Sequence, residues 1–156
     1  MGRRWIAASP LIVSCGEAWC VPQTSGPNRV PPSPAELKLR TTAMPADANP
    51  SGDIFGGWLM GLMDLAAGNA AGRRARGRVA TIAVDGMKFH RPVLVGDEVS
   101  IYACIVSVGR TSMRIEVEAW RRERSEDEMF LVTEAVFTFV AIDEARKPRP
   151  VPLEAE

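Results

Sequence analysis

From residue 36 onward the apolar positions of this 156-residue chain recur with a definite period, and before it they recur with none. Residues 36–43 alternate like one short strand. The next nine residues are rich in Pro, Asn, Ser and Gly and predict a turn, with Asp53 placed to cap a helix from residue 54 to about residue 74. Gly72 and the basic run Arg73, Arg74, Arg76 and Arg78 suit the end of that helix, where cations meet the negative end of its dipole. β-Branched residues then take over and predict four strands, at 79–90, 98–108, 112–122 and 129–142. The third alternates most regularly, Met113, Ile115, Val117 and Ala119 against Arg114, Glu116, Glu118 and Trp120. Residues 108–112 read as a hairpin turn and 122–128 as a solvated one.

The predicted helix is apolar on every face around Asp64, so it is either enclosed on all sides or in a membrane. A carboxylate in mid-span costs about 2.5–3.5 kcal/mol on insertion, which argues against the membrane. The other long apolar runs have strand character. A helix enclosed in a chain of five strands calls for an antiparallel sheet curled around it, the α+β arrangement called hotdog. One such sheet cannot cover the whole helix, so a second subunit is expected to complete the enclosure. Asp64, flanked by Met63 and Leu65, then needs a partner or a function. The two readings are a cap or ion pair on one side and a general base or nucleophile in a cleft on the other.

Composition narrows the chemistry. Basic and acidic residues balance at 19 each, which gives no basic excess for nucleic acid. Three cysteines, Cys15, Cys20 and Cys104, have no metal-ligand spacing and form no disulfide framework, which points to the reducing cytoplasm and to no metal site. His90 is the one histidine, which removes most zinc-hydrolase and Ser-His-Asp readings. Residues 1–35 hold six of the 12 prolines and are expected to be a disordered extension ahead of a domain at 36–156. An export signal is not expected there, because Pro10 and Glu17 break the apolar run.

The segment Met44-Pro45-x-Asp47-x-Asn49-x-x-Gly52-Asp53-Ile54-Phe55-Gly56-Gly57-Trp58-Leu59-Met60, with Met63-Asp64 behind it, resembles the YciA-like bacterial acyl-CoA thioesterases. The resemblance continues through Gly77-Arg78-Val79, Ala83-Val84-Asp85-Gly86-Met87-x-Phe89, Arg91-Pro92-Val93, Val95-Gly96-Asp97, Val108-Gly109-Arg110-Thr111-Ser112-Met113 and residues 132–141, and covers 37–152. It implies a hotdog fold, a cytoplasmic homodimer that extends to a trimer of dimers, and hydrolysis of acyl-CoA without metal or redox cofactor. It places the catalytic aspartate on Asp64, the turn asparagine on Asn49 and the glycine pair of the helix start on Gly56 and Gly57.

Those residue types fit thioester hydrolysis. Free amides at a helix N-terminus can receive the negative charge that develops on the carbonyl oxygen, and Gly56 or Gly57 leaves room for it. Asn49 can hold the thioester or the attacking water, or simply form an Asx-turn before Pro50. Arg110, Thr111, Ser112 and Arg91 are candidates for the CoA phosphates. The alternatives are a hotdog hydratase or dehydratase, which would need His90 beside the acid, and a non-catalytic acyl-CoA-binding module.

Overall fold

The computed structural model describes residues 29–153. Five strands, β1 (Leu37–Thr42), β2 (Val79–Phe89), β3 (Glu98–Val108), β4 (Ser112–Arg122) and β5 (Phe130–Ala141), form one antiparallel sheet in the order β1-β3-β4-β5-β2. The single long helix, α1 (Gly56–Ala75), lies against its inner face. This is the expected α+β hotdog arrangement. Alternation along β4 and β5 puts Met113, Ile115, Val117, Ala119, Ala135, Phe137 and Phe139 on that face, where they pack with Leu59, Met63, Ala66, Ala67, Ala70 and Ala71 of α1. Alanine at four of these helix positions keeps the contact side small enough for the sheet to curl close. Truncating Phe137, fully buried at the centre, would cost about 3–5 kcal/mol.

Two expectations are corrected. The helix begins at Gly56, not at residue 54, and its N-cap is Phe55 in place of Asp53. The Asp53 amide is taken instead by Asn49 Oδ1, at 3.1 Å, so Asp53 belongs to the preceding turn. As expected, one chain does not cover the helix on every side: Met60 and Leu65 are 40% and 54% exposed. At its other end the helix closes through Arg76 in the left-handed region (φ 48°). The Gly77 amide returns to the Gly72 carbonyl at 3.2 Å. Arg149 Nη2 caps the Ala75 carbonyl at 2.8 Å, and a Cβ on Gly77 would stand 2.6 Å from that nitrogen, so the glycine is what admits the arginine.

A second cluster lies on the outer face, where Tyr102, Trp120 and Leu131 are buried with Leu37 and Met129 beside them. Trp120 Nε1 donates to Glu118 at 2.8 Å. Arg29 donates to both Glu118 and Glu134, joining the residues before β1 to β4 and β5. Arg29 of the expected extension is therefore tied to the sheet; residues 1–28, with the export question, lie outside the described residues. Burial works to raise the Glu118 carboxyl, and the Trp120 bond and the Arg29 charge do not fully offset it, so it stays above its ordinary value. Burial acts on Glu134 in the same direction, but hydrogen bonds and charge from Arg29 and then His90 outweigh it and hold it below. No helix among the described residues is long and apolar enough to cross a membrane.

Candidate active site

The start of α1 has amides to spare. Phe55 has no side-chain oxygen, so it caps nothing, and only its carbonyl takes part, accepting from Trp58 at 3.0 Å. The amides of Gly56 and Gly57 have no hydrogen-bond partner among the described residues. Two aromatic rings flank them. A Cβ on Gly56 would lie 3.5 Å from the Phe89 ring, and one on Gly57 would lie 2.6 Å from the Phe55 ring. Gly57 therefore has to be glycine for the Phe55 ring to lie where it does. The loop leading in is pinned by Asn49, whose Oδ1 accepts from Ser51 N at 2.9 Å and Asp53 N at 3.1 Å. That is the Asx-type turn, and it leaves the Asn49 amide nitrogen without a bond.

Asp64 sits two turns along the helix, at the margin between the buried Met63 and the exposed Leu65. Its Oδ1 accepts a hydrogen bond of 2.6 Å from the Thr81 hydroxyl on β2. Gly57, Gly61, Asp64 and Gly68 recur at helical spacing along one side, and a Cβ on Gly61 would meet nothing within 4 Å. The carboxylate thus looks out over a glycine-lined stripe beside the outermost strand of the sheet.

The remaining expected residues are split between the two ends of the sheet. Arg91 lies by the helix start, where a cavity of about 290 Å³ is lined by Gly56, Leu59, Phe89, His90, Arg91 and Val132 among others. Its guanidinium stacks 4.7 Å above Phe130. Arg110, Thr111 and Ser112 form the β3–β4 turn at the other end, where their carbonyls accept from Val151, Ala141 and Gly109. One chain does not bring these four together. A groove of about 920 Å³ between the second half of α1 and β3 contains none of the expected site residues. His90 Nε2 is 3.4 Å from Glu134 Oε1, and the same residue lines the cavity beside Gly56. Among the described residues, no three His, Cys, Asp or Glu side chains are grouped to hold a metal ion.

Thr81 was not singled out by the sequence, and Phe55 and Phe89 stood in the resembling motifs without a role assigned to them. Thr81 becomes visible only when the strand's register places its hydroxyl on Asp64.

A half-buried carboxylate on a helix wrapped by a five-stranded antiparallel sheet, with free amides at the helix start, is the framework of a hotdog-fold hydrolase. The sequence profile of the thioesterase superfamily matches residues 51–128. An uncharacterized acyl-CoA thioester hydrolase of Zymomonas mobilis is 55% identical over 83% of this chain and 87% of its own length. The acyl-CoA thioester hydrolase YciA of Escherichia coli is 48% identical over 76% of this chain and 92% of its own. Among solved structures, a hexameric thioesterase from Yersinia pestis superposes with a TM-score of 0.73 at 50% identity, covering 76% of this chain and 97% of that one. A hexameric hotdog fold thioesterase of Campylobacter jejuni follows at 0.71 and 39%, covering 75% and 90%. The chain belongs to the thioesterase superfamily. The resemblance drawn from its motifs is borne out.

Proposed function

We propose that this chain hydrolyses acyl-CoA to a free acid and CoA at a site shared between two protomers. One observation carries the reading: two unpartnered glycine amides start the same helix that presents Asp64 eight residues later. At 1.5 Å per residue the two are about 12 Å apart along the axis. Reacting atoms must approach to roughly 3–3.5 Å, so the carbonyl held at Gly56 and Gly57 is attacked by the Asp64 of another chain.

The outer edge of β2 supports a specific pairing. No described strand pairs with it, and Ile82 on it is 61% exposed. Thr81, which holds Asp64, and Phe89, which lies against Gly56, stand four residues either side of Asp85. Antiparallel pairing of two β2 strands about that point sets the Thr81–Asp64 end of one protomer opposite the Phe89–Gly56 end of the other, twice over. It also carries the Arg110 turn of one sheet to the end where Arg91 of the other lies, so that both can reach one CoA. Three such dimers would make a hexamer like those of the solved relatives. Three cysteines without metal-ligand spacing or a disulfide framework are in keeping with a cytoplasmic protein.

The chemistry then follows. The thioester oxygen accepts from Gly56 and Gly57, and the free amide nitrogen of Asn49 donates to the thioester or to water. Asp64 takes a proton from the attacking water, or its own oxygen attacks the carbonyl carbon to give an anhydride that water opens. Both routes put the same negative charge on the oxygen at the helix start, where dipole and amides stabilise it. CoA leaves as a thiolate, a leaving group that needs little protonation because thiols ionise near pH ~8.5. A hydratase would need a histidine beside the acid; His90 lines the cavity at Gly56 with its Nε2 3.4 Å from Glu134 Oε1, and His90→Ala, which abolishes a hydratase and spares a thioesterase, separates the two readings. A module that only binds acyl-CoA has no use for an Asp64 that Thr81 holds at the seam.

The test is free-thiol release from acyl-CoA by wild-type protein and by mixed assemblies. Asn49→Ala and Asp64→Ala chains are each inactive alone. Refolded together, about half the dimers are mixed and each carries one intact site, so roughly a quarter of wild-type activity returns. Recovery near zero with mixed dimers confirmed by mass would place both residues in one chain's site and overturn the shared arrangement.

A further inference from the structure

We infer that Phe55 and Phe89 determine which acyl groups are hydrolysed, admitting thioesters with an unbranched carbon next to the carbonyl and turning away those branched there. The inference rests on the carbonyl being held at Gly56 and Gly57, as proposed above. These two glycines follow one another on the helix, so the directions in which their Cβ atoms would point differ by about 100° around the axis. The Phe89 ring closes one direction, 3.5 Å from a Cβ on Gly56, and the Phe55 ring closes the other, 2.6 Å from a Cβ on Gly57. The two rings therefore form the walls of a corner, with the free amides at its bottom.

Neither ring is filling the core. Phe55 is 60% exposed and Phe89 53%, although each stands on a fixed backbone. The Phe55 amide donates to the Asp47 carbonyl at 3.0 Å, Phe89 pairs with Thr133 across the sheet, and the next amide, His90, donates to Val132 at 2.7 Å. Large apolar rings on pinned backbones, turned toward a hydrogen-bonding site and away from the core, shape whatever enters that site. A carbonyl that reaches the amides brings its α-carbon between the walls. A flat methylene fits along the corner, whereas a second substituent on that carbon is forced against one ring or the other. The penalty for one misplaced carbon in an apolar pocket is on the order of 10-fold or more in kcat/KM.

The experiment compares butanoyl-CoA with its isomer 2-methylpropanoyl-CoA, on wild type, Phe55→Ala, Phe55→Tyr and Phe89→Leu, with assembly checked by mass. Wild type is expected to favour the straight chain by about tenfold or more in kcat/KM. Phe55→Ala should shrink that ratio toward one by raising the branched ester's value, Phe89→Leu should shrink it at least about threefold, and Phe55→Tyr, which keeps the ring, should retain it. If Phe55→Ala does not assemble, the comparison of Phe89→Leu with wild type decides in the same way. A ratio unchanged in the variants, with both esters hydrolysed, overturns the aromatic corner and leaves the thioesterase reading standing. No thiol release from either ester, or from longer straight-chain acyl-CoA, overturns the thioesterase reading itself.

Discussion

The Thr81 hydroxyl donates to Asp64 Oδ1 at 2.6 Å, and this bond ties the one carboxylate of the central helix to the outermost strand of the sheet. The strand that would form the seam between protomers is thus the strand that aims the proposed catalytic oxygen. In the proposed arrangement, assembly and chemistry would share a residue.

Asp64→Asn is expected to lose more than about 100-fold in kcat while melting within a few degrees of wild type, since the amide keeps an oxygen for Thr81 to bond. Thr81→Val keeps the strand shape and removes the bond. Its kcat should fall on the order of tenfold with KM little changed, because what it loses is the aim of a group and not a contact to substrate. Steady-state kinetics beside thermal melts check both. Near-wild-type turnover in a folded Asp64→Asn, or a melting point lowered by many degrees with kcat of the folded fraction retained, would make Asp64 structural.

A charge placed on the open edge should act at the level of assembly. Ile82→Asp puts a carboxylate where the side chain is mostly exposed in a single chain. A folded but smaller species by light scattering, with activity falling at least tenfold, is the expected result. An assembly of unchanged mass would show that β2 is not the seam.

The residues before β1 can be cut in two places. Removing residues 2–28 leaves Arg29 on Glu118 and Glu134 and sets the reference melting temperature. Extending the cut to residue 34 removes that bridge and should lower the midpoint by about 4–8 °C, corresponding to roughly 1–2 kcal/mol for a charge network joining two strands. Equal midpoints for the two truncations would mean the bridge contributes nothing measurable.

The same network gives a pH signature. Glu134 is held below its ordinary value of 4.5, so its contribution is present above pH 4.5 and is lost as the pH falls through the lowered value. Glu118 runs the other way. Its raised value means a contribution present below the ordinary pKa and lost as the pH rises through the raised one. Glu134→Gln should therefore melt lower than wild type near neutral pH, with the gap closing below pH 4.5. Glu118→Gln should show the smaller gap near neutral pH, since it also relieves a buried charge. Melting temperature against pH for the two variants checks the order; the reverse order would reject the assignment.

Much of the fold could be read from the pattern of apolar positions, and the reasons it stopped short are local. Strands β3 and β4 begin and end where the sequence predicts: β4 alternates between the core and the outside, whereas Val99–Ala103 of β3 are buried on both faces and show themselves by their β-branched and apolar run. The helix start was misplaced because Asp53 is a good capping residue by type, while Asn49 had already taken its amide. Nothing marks a phenylalanine as an N-cap, since its ring offers the helix no acceptor. Strand β2 shifts register between Thr81 and Ala83 and again between Asp85 and Lys88, so alternation alone assigns its faces wrongly past Ile82. That is why Asp64 stood out in the sequence as a carboxylate among apolar neighbours while Thr81, one strand away, did not. The motif resemblance supplied Gly56 and Gly57, and the structure adds the rings on either side. The Arg29 bridge was not visible because its partners are some 90 and 105 residues away along the chain.

Phe55 at the head of the helix also marks a stability this protein goes without. Serine at that position would bond the Gly57 amide and add about 1 kcal/mol, raising the melting point by a few degrees. The same bond would occupy the donor that the thioester oxygen needs. A search for tougher variants of this chain should therefore keep finding hydrophilic replacements at position 55 that survive more heat and turn over less substrate. Natural sequences under selection for rate are expected to keep an aromatic residue there and to obtain their robustness elsewhere.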